Sequence, residues 1–495
     1  MPVLVQESSV FPTPEALAMV VRGVGGLMLL RTQLFAGQEH RYSVVTARPI
    51  VVYRAWGARG ELQFPDGRIE ARFGDPWKVM AEWMGGFEIL DSVDFPFPLG
   101  GCFGYWGYDL KQFLEPRLPR RAVYDERWPD CHVGFYGSLV VFDHVLSKAW
   151  IVATGLQLDG SRDMERAVED ARWWHQQLLA AHSCEPETMG QETSHRSEIV
   201  ASTFTREQFL GAVQRAQSYI RTGDIYQVNL AQRLTTPCPR GGWWLYRQLA
   251  AHSPAPYASY FDLGAGELVS ASPELFLRMS GSQIVTHPIK GTRPRSMDSI
   301  EDARLGYELQ TSAKEMSELV MITDLLRNDL GRISEYGSIR VPDLARLERF
   351  SHVQHLVSTV EGRMRDGLTH LDALAACFPG GSITGAPKIR AMEIIDELEP
   401  VTRGPYCGCH GYLGFNRESQ LSITIRTAQV SNGEATYFAG AGIVADSDPE
   451  AEYEETLVKA KGWLAAMEAR SLRPDVRYTG GGVGTRSDQI DGVDC

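Results

Sequence analysis

The chain has 495 residues, of which 43% are hydrophobic and 22% charged, a composition typical of a globular protein with a sizeable core. Its formal net charge of −13 argues against a nucleic-acid or anionic-membrane partner, so an anionic substrate would need a local basic pocket. There is no apolar run of about 18 residues, no secretory signal and no paired spacing of cysteines, so we expect a cytoplasmic protein with reduced thiols and no membrane span.

Two polar segments divide the chain. Residues 183–201 are poor in large apolar side chains and are predicted to form a linker or exposed loop. Residues 471–495 are rich in glycine and polar side chains and are predicted to form a disordered tail. These segments leave an N-terminal region, residues 1–182, and a C-terminal region, residues 202–470.

In the N-terminal region, β-branched runs predict strands at residues 42–47 and 137–145, followed by a helix at residues 163–181. Residues 100–104, GGCFG, match the Gly-x-Cys-x-Gly elbow that presents a cysteine nucleophile in glutaminases and hydrolases. The stretch before them is a poor buried strand, and no His-x-Glu pair follows in this region. We therefore interpret these residues as a structural glycine turn.

In the C-terminal region, a capping box of Thr205 and Gln208 predicts a helix that ends at Gly223. The later predicted elements are, in chain order, a strand at 225–234, a hairpin of 274–279 and 283–289, a helix at 312–330, a hairpin of 421–430 and 435–444, and a helix that begins at Asp448-Pro449. Hairpins that alternate with helices predict an α+β fold with mostly antiparallel sheets.

The stretch THPIKGTRPR, residues 286–295, places Lys290 where a predicted strand runs into a glycine turn. Arg293 and Arg295 follow at once, and three cations so close together repel one another unless an anion lies among them or one of them is neutral. The stretch alone is compatible with either role for Lys290, an anion clamp or a reactive amine.

Carboxylates stand at unusual positions in the helix predicted at residues 312–330. Glu315 and Glu318 lie on the same side as its apolar residues, and an unpaired charge is costly to bury. They therefore need a proton or a cation, and the sequence leaves open whether that cation is an arginine or a metal.

The last predicted helix carries Glu452, Glu455 and Lys459 on one face. Taken alone, this pattern is typical of a solvated face with pairing between residues four apart. Two helices with paired glutamates nevertheless supply the oxygen ligands that Mg²⁺ prefers, and Mg²⁺ needs few carboxylates when the substrate brings its own.

Two further motifs give weaker indications of ligands. Residues 378–390, FPGGSITGAPKIR, lack the Gly-Lys-Ser/Thr order of a phosphate loop, which disfavours a nucleotide site, although backbone N–H groups and Thr384 could still bind an anion. Cys407, Cys409 and His410 form half a zinc site, but no second cysteine or histidine pair stands at a matching distance.

Four long stretches together resemble one family. PIKGTRPR, ELVMITDLLRNDLG, FPGGSITGAPKIRAMEIIDELEP and GIVADSDPEAEYEETLVKA occur in the order found in the chorismate-utilising enzymes, and the resemblance extends from about residue 204 to residue 467. The family comprises anthranilate synthase and aminodeoxychorismate synthase components I, isochorismate synthase and salicylate synthase. GGCFGYWGYDL also resembles the N-terminal part of the first two. The resemblance implies a sandwich of two antiparallel sheets with helices packed outside.

The resemblance also implies roles for the acidic residues. Glu318 and Glu455 match direct Mg²⁺ ligands, while Glu315 and Glu452 match acidic partners that hold the waters of the metal. The metal would bind the ring carboxylate of chorismate. Glu274 matches the general acid.

The resemblance places a set of residues around the substrate. Arg426 and Lys459 match groups that grip its carboxylates, and His355 and Thr384 match residues that line its ring. The full set of implied substrate-binding residues is Gln227, Thr292, His355, Thr384, Tyr406, Arg426, Gly442 and Lys459.

Two positions separate the members of the family. Anthranilate synthases resemble PIAGT where this chain has Lys290 in PIKGT, as in aminodeoxychorismate synthases. Gln227 stands where the members that add water carry a lysine base. The resemblance therefore implies amination of chorismate at C4 by ammonia from a glutamine amidotransferase subunit, giving 4-amino-4-deoxychorismate for 4-aminobenzoate and folate. Lys290 would attack the ring, with its pKa lowered if Arg293 and Arg295 face it.

Two other interpretations remain. Anthranilate synthase component I of tryptophan biosynthesis would use the same pocket and aminate C2. A chorismate or tryptophan sensor on an inactive scaffold is a third possibility, and the intact set of Glu274, Glu318, Glu455 and Lys459 argues against it.

Overall fold

A computed structural model describes residues 3–32, 41–89, 95–125, 127–184, 200–350 and 353–467, together with the backbone of a last strand at Leu472–Arg477. The strands are, in chain order, β1 Leu4–Glu7, β2 Met28–Arg31, β3 Tyr42–Thr46, β4 Val51–Trp56, β5 Arg59–Gln63, β6 Ile69–Phe73, β7 Gly101–Trp106, β8 Cys131–Tyr136, β9 Ser138–Asp143, β10 Lys148–Ala153, β11 Val200–Ser202, β12 Gln227–Pro237, β13 Tyr257–Asp262, β14 Glu267–Ser272, β15 Leu275–Ser280, β16 Gln283–His287, β17 Ile289–Pro294, β18 Arg340–Arg349, β19 Val353–Arg363, β20 Gly385–Ala386, β21 Cys409–Gly414, β22 Glu418–Ile423, β23 Thr427–Ser431, β24 Glu434–Ile443 and β25 Leu472–Arg477.

The α-helices are α1 Pro14–Val21, α2 Pro76–Phe87, α3 Lys111–Leu114, α4 Met164–Ser183, α5 Arg206–Arg221, α6 Gly241–His252, α7 Ser299–Thr311, α8 Ala313–Gly331, α9 His370–Cys377, α10 Lys388–Leu398 and α11 Pro449–Ala466. None of the helices in the described ranges is long and apolar enough to cross a membrane.

The strands form two large sheets. The first runs in the order β1-β10-β9-β3-β2-β13-β14-β23-β24-β12-β11-β25, with β20 also paired to β12. The second runs in the order β17-β19-β16-β15-β22-β21-β7-β8-β4-β5-β6, with β18 also paired to β19. Neighbouring strands are antiparallel, as in β12 and β24, and the pair of β11 and β25 is parallel. The predicted α+β fold with two antiparallel sheets is confirmed.

Local side-chain caps explain where three site-forming helices begin. Thr205 and Gln208 form the predicted capping box of α5. The Ser312 hydroxyl accepts a hydrogen bond from the Glu315 amide at the start of α8. Asp448 accepts from an amide of α11, which has proline at its first position. The sequence therefore sets the start of both glutamate-bearing helices.

The apolar core has two main layers. One cluster joins side chains of both sheets, among them Phe103, Trp106 and Tyr136. A second lies between the first sheet and helices α1, α4, α6 and α11, and includes Trp174 and Trp463. The helices thus cover the outside of the sheets, and α11 packs on β24.

Both sheets contain strands from either side of residues 183–201. In the first sheet β2 pairs with β13, and in the second sheet β7 pairs with β21, where Phe103 lies opposite Tyr412. Most of the predicted linker, residues 185–199, lies outside the described residues, so the predicted division into two regions stays a prediction. The two regions nevertheless share their sheets.

One predicted strand is wrong. The strand predicted at residues 421–430 is two strands, because β22 ends at Ile423 in the second sheet and β23 begins at Thr427 in the first. Arg426 makes the crossing in a left-handed conformation, with φ of 50°. This conformation is uncommon for a residue with a side chain, and no glycine or proline signals it in the sequence.

The predicted disordered tail is also wrong in part. Residues 472–477 form β25, which pairs in parallel with β11. Backbone hydrogen bonds between strands do not depend on the glycine-rich composition that predicted disorder. Residues 478–495 lie outside the described residues.

Candidate active site

Lys290 lies within a strand, and the predicted turn at this position is wrong. In β17 it pairs opposite Leu356 of β19, and the strand continues through a bulge at Gly291, where φ is 67°. A Cβ on Gly291 would lie 2.6 Å from Leu309 Cδ1 and 3.1 Å from Glu315 Oε2. The bulge therefore needs glycine, both for its backbone angle and for the close approach of helices α7 and α8.

The cations that follow Lys290 each have a carboxylate of their own. Arg295 donates to both oxygens of Asp302, at 2.7 and 2.9 Å. Arg293 Nη1 lies 3.6 Å from Glu315 Oε1. Each arginine therefore faces a carboxylate and not Lys290, which was the condition for the predicted effect of Arg293 and Arg295 on Lys290. The nearest charge to Lys290 is Glu318, with 4.0 Å between Nζ and Oε2, and both side chains are 17% exposed.

Helices α8 and α11 bring the four predicted glutamates to one place. Burial raises the pKa of Glu318, Lys290 lowers it, and the charges of Glu315 and Glu455 raise it. Burial also raises the pKa of Glu452, whose Oε1 accepts from Ser447 at 2.6 Å. Within the part of the chain that the structure describes, its buried Oε2 has no hydrogen-bond partner. The cluster is thus acidic, although Lys290, Arg293 and Lys459 each lie within 4.0 Å of one of its glutamates.

The cluster fits a magnesium ion by its chemistry. Among the described residues, no three acidic, histidine or cysteine side chains converge closely enough to hold a metal by themselves. Mg²⁺ keeps several waters and binds through one or two carboxylates together with oxygens of the substrate. An open carboxylate set with the unpartnered Glu452 Oε2 meets that requirement.

Glu274 lies just before β15 and is buried. Burial raises the pKa of Glu274, although a hydrogen bond from Ser382 and the charges of Lys290, Lys459 and Arg426 oppose the shift. A carboxyl with a raised pKa keeps its proton closer to neutral pH, as a general acid must. The sequence analysis missed Ser382, whose only signal is its place in the GGSITG stretch beside Thr384.

The sheet crossing places Arg426 at the centre of this region. Its charge lowers the pKa of Glu274 and that of His355. Burial is the main reason that the pKa of His355 falls to about 4, so the ring is neutral. His355 Nδ1 lies 2.9 Å from Thr292 Oγ1 and 3.2 Å from the Gly291 carbonyl. Because that carbonyl can only accept, Nδ1 carries the proton and Nε2 is an acceptor.

The remaining predicted residues line β12, β24 and α11. Tyr406 stacks on Phe438 with ring centroids 4.9 Å apart. A Cβ on Gly442 would lie 2.5 Å from Gln227 Nε2, so these two residues are in close contact. Lys459 Nζ donates to the Gly440 carbonyl at 2.9 Å and lies 2.8 Å from Glu455 Oε1.

The glycine-rich stretch at residues 378–390 is held by its own contacts. Thr384 is buried and its hydroxyl donates to the carbonyls of Gly380 and Gly381, which leaves its oxygen able only to accept. Lys388 Nζ lies 2.7 Å from both oxygens of Asp329 and therefore holds α10 against α8. These contacts give Lys388 a structural role.

Cys102, Cys407 and Cys409, the cysteines of the two sequence motifs, are buried, whereas Cys184 is exposed. Cys102 lies in β7 instead of in the predicted turn, because Gly101 already begins the strand and positive φ within residues 100–104 occurs only at Gly100 and Gly104, not at Cys102. Burial raises the pKa of Cys102 well above its usual range, which is unsuited to a nucleophile. Cys407 and Cys409 are likewise buried, and burial lowers the pKa of His410 to about 3.

Comparison with known proteins identifies the family. The sequence model of the chorismate binding enzyme family matches residues 46–465 of this chain. The chain belongs to the chorismate binding enzyme family. It is 43% identical over 440 residues to "Anthranilate synthase component 1" of Thermus thermophilus, covering 87% of this chain and 90% of that protein. It is 38% identical over 443 residues to "Aminodeoxychorismate synthase component 1" of Escherichia coli, covering 89% and 93%.

The solved structures agree with this assignment. Anthranilate synthase component I of Streptococcus pneumoniae superposes with a TM-score of 0.72 at 30% identity, over 88% of this chain and 94% of that one. The identities to the two kinds of component 1 are close in value, so overall identity does not separate them.

Proposed function

We propose that this protein is component I of an aminodeoxychorismate synthase, which converts chorismate and ammonia to 4-amino-4-deoxychorismate. The observation that carries the proposal is Lys290 itself. Its amine lies in one partly buried site with Glu274, whose pKa is raised by burial, and 4.0 Å from Glu318 of the acidic cluster. A substrate-anchoring lysine would need no acid beside it, whereas a nucleophile that displaces a hydroxyl does.

The groups of the site support two displacement steps. Lys290 Nζ forms a bond to ring C2 while the bond from C4 to its oxygen breaks, and Glu274 donates the proton with which that hydroxyl leaves as water. Ammonia then forms a bond to C4 while the bond between C2 and Lys290 Nζ breaks. The new amine gives its extra proton to Glu274, which restores the acid. Chorismate and ammonia thus yield the amino product and water.

The other charged groups orient the substrate. Arg426 and Lys459, whose charges both act on Glu274, offer cations to carboxylates of chorismate, and His355 contributes a neutral acceptor. Bound to Glu318 and Glu455, with Glu315 and Glu452 holding its waters, Mg²⁺ would supply the positive charge that fixes the ring carboxylate.

Ammonia requires a source. At neutral pH free ammonia is mostly ammonium, and Cys102 is buried with a raised pKa, so it is no candidate for releasing ammonia from glutamine. The relatives' designation as component 1 supports a second component. We propose that a glutamine amidotransferase subunit delivers ammonia to this site.

The experiment that tests the proposal is identification of the product. The purified chain is incubated with chorismate, Mg²⁺ and an ammonium salt, and the product is analysed by NMR and mass spectrometry. We expect 4-amino-4-deoxychorismate. Anthranilate as the sole product would contradict the proposal.

Anthranilate synthase component I is the second candidate. The 43% identity to the Thermus thermophilus protein favours it. Against it stands Lys290, because in the proposed mechanism its amine attacks C2, the carbon that an anthranilate synthase would aminate. Product analysis of the wild-type chain decides between the two.

A further inference from the structure

Two unpartnered amide oxygens lie on one strand of the site. Among the described residues, Gln227 Oε1 and Asn229 Oδ1 are buried without a hydrogen-bond partner, and Gln227 is only 2% exposed. Residues two apart in a strand point to the same face, so both side chains lie on the same face of β12. Buried acceptors without donors are costly and uncommon, which points to a missing ligand that donates hydrogen bonds.

The surroundings hold these oxygens in place. The Asn229 amide donates to the Thr384 carbonyl at 2.9 Å, and the Asn229 carbonyl accepts from Arg403 at 2.8 Å. The N–H and the C=O of Asn229 therefore both form hydrogen bonds with residues outside β24, the strand that pairs with β12 here. Arg403 is itself buried and paired with Glu399. The Asn229 side chain thus projects from a rigid support.

Glycines of β24 make the room for them. Asn229 Oδ1 and the Tyr406 hydroxyl lie 2.8 and 3.0 Å from the point that a Cβ on Gly440 would occupy. Gln227 Nε2 lies 2.5 Å from the corresponding point on Gly442. The side chains of Gln227 and Asn229 therefore lie beside Gly442 and Gly440 of β24. Tyr406 lies next to them, and Lys459 donates to the Gly440 carbonyl.

We propose that Gln227 and Asn229 form the subsite that binds ammonia, an inference that rests on the proposed amination. Ammonia has three N–H donors and one lone pair. Two amide oxygens can accept two of the N–H groups and leave the lone pair free to form the bond to the ring carbon. A substrate hydroxyl has one donor and would satisfy only one of the two acceptors. Amide oxygens are also too weakly basic to deprotonate water, so the subsite does not promote hydration.

The test measures the dependence of the rate on each substrate separately. In Asn229→Ala we expect the KM for ammonia to rise about tenfold, as for loss of one buried hydrogen bond, while the KM for chorismate stays within about twofold. Initial rates are taken from the aminated product over a series of ammonium concentrations at fixed pH, with saturating chorismate and Mg²⁺.

Asn229→Asp gives a second, independent readout. The carboxylate has the shape of the amide but favours ammonium, whose lone pair carries a proton. We expect kcat to fall and the rate to depend more steeply on pH, without a rise in the KM for total ammonium. This signature would not follow from a merely structural role of Asn229.

Thr235→Val is the matched control. Thr235 lies further along β12 on the same face, is buried, and has a hydroxyl oxygen without a partner. We expect both KM values to remain at the wild-type level. Circular dichroism of each variant shows that it folds, and Asn229→Ser replaces Asn229→Ala if that variant does not.

A rise in the KM for chorismate with an unchanged KM for ammonia would overturn the subsite and assign the oxygens to the ring substrate. Equal effects of Asn229→Ala and Thr235→Val would overturn it as well. The proposed function fails separately, on the identity of the wild-type product. If that product is anthranilate, the ammonia KM still decides whether Gln227 and Asn229 bind ammonia.

Discussion

At the scale of single residues, substitution of Lys290 distinguishes a covalent catalytic role from a role in anchoring the substrate. Lys290→Ala should reduce formation of the C4-aminated product about a hundredfold or more, because the proposed reaction begins with attack of this amine on C2. Chorismate binding should change little, since Arg426 and Lys459 remain. Product NMR measures the first effect and the KM for chorismate the second. Lys461→Ala, at an exposed position of α11, is the control.

A complementary measurement concerns the wild-type chain. Incubation with chorismate and Mg²⁺ in the absence of ammonia should leave an adduct that peptide mass spectrometry locates at Lys290. Lys290→Ala that still makes 4-amino-4-deoxychorismate at a near wild-type rate would contradict the covalent step, and Lys290 would then serve as an anion clamp.

Asp130 carries a prediction about stability. Burial, together with the charge of Asp109, raises the pKa of Asp130 to about 7, although its oxygens accept from the Gly57 amide and the Tyr124 hydroxyl. Because the folded pKa exceeds the unfolded one, this group's contribution to stability is fully present below about pH 4 and is lost as the pH rises to about 7. Asp130→Asn should therefore be more stable than wild type at pH 8, by urea unfolding.

A second variant, Asp125→Asn, should show the opposite dependence of unfolding stability on pH and serves as the control. Burial alone would raise the pKa of Asp125, but Arg127 and Arg233 bring it down to about 2. Its folded pKa is lower than its unfolded one, so its contribution is present at neutral pH and lost in acid. Asp125→Asn should be destabilised at neutral pH. An Asp130→Asn variant less stable than wild type at pH 8 would contradict the assigned shift.

The sequence predicted part of the site at this scale for a clear physical reason. Glu315 and Glu318 stood out because carboxylates interrupted an apolar stripe, and the structure places both, partly buried, in an acidic cluster. Ser382 and Asn229 gave no such signal, because a small polar residue in a loop or strand is ordinary until its neighbours are known.

At the scale of elements, α8 and α11 act together as two halves of one proposed metal site. Glu318→Gln should weaken Mg²⁺ binding about tenfold or more and remove most activity, because the amide keeps the shape but loses the charge. Isothermal titration with Mg²⁺ in the presence of chorismate measures the first effect. Glu454→Gln, exposed on α11, should behave as wild type. Activity that persists in excess chelator would contradict the metal site.

Elements differed in how well the sequence predicted them. The starts of α5, α8 and α11 were predicted because side-chain caps are local. The break between β22 and β23 was not, because Ile423 and Thr427 continue one β-branched run and their separation is set by which sheet each strand joins. Lys290 was placed at a turn for the same reason, since β19 extends the strand through the glycine bulge.

At the scale of the whole molecule, the chain should use ammonia but not glutamine. The buried Cys102 lies in a strand of the core, so its thiol is not presented to a glutamine side chain. The purified chain should therefore aminate chorismate in ammonium salts and give no product with glutamine alone. Addition of an amidotransferase subunit should make glutamine effective. Robust turnover with glutamine by the chain alone would contradict the need for a partner.

The way the N-terminal and C-terminal regions share both sheets has a consequence for any attempt to shorten the protein. A chain that begins at residue 202 would lose β2 and β7, and the long strands β13 and β21 would each expose a row of free N–H and C=O groups. Such open strand edges recruit strands of other molecules. The catalytic half should therefore aggregate when expressed alone, and supplying residues 1–182 as a separate chain should rescue its solubility.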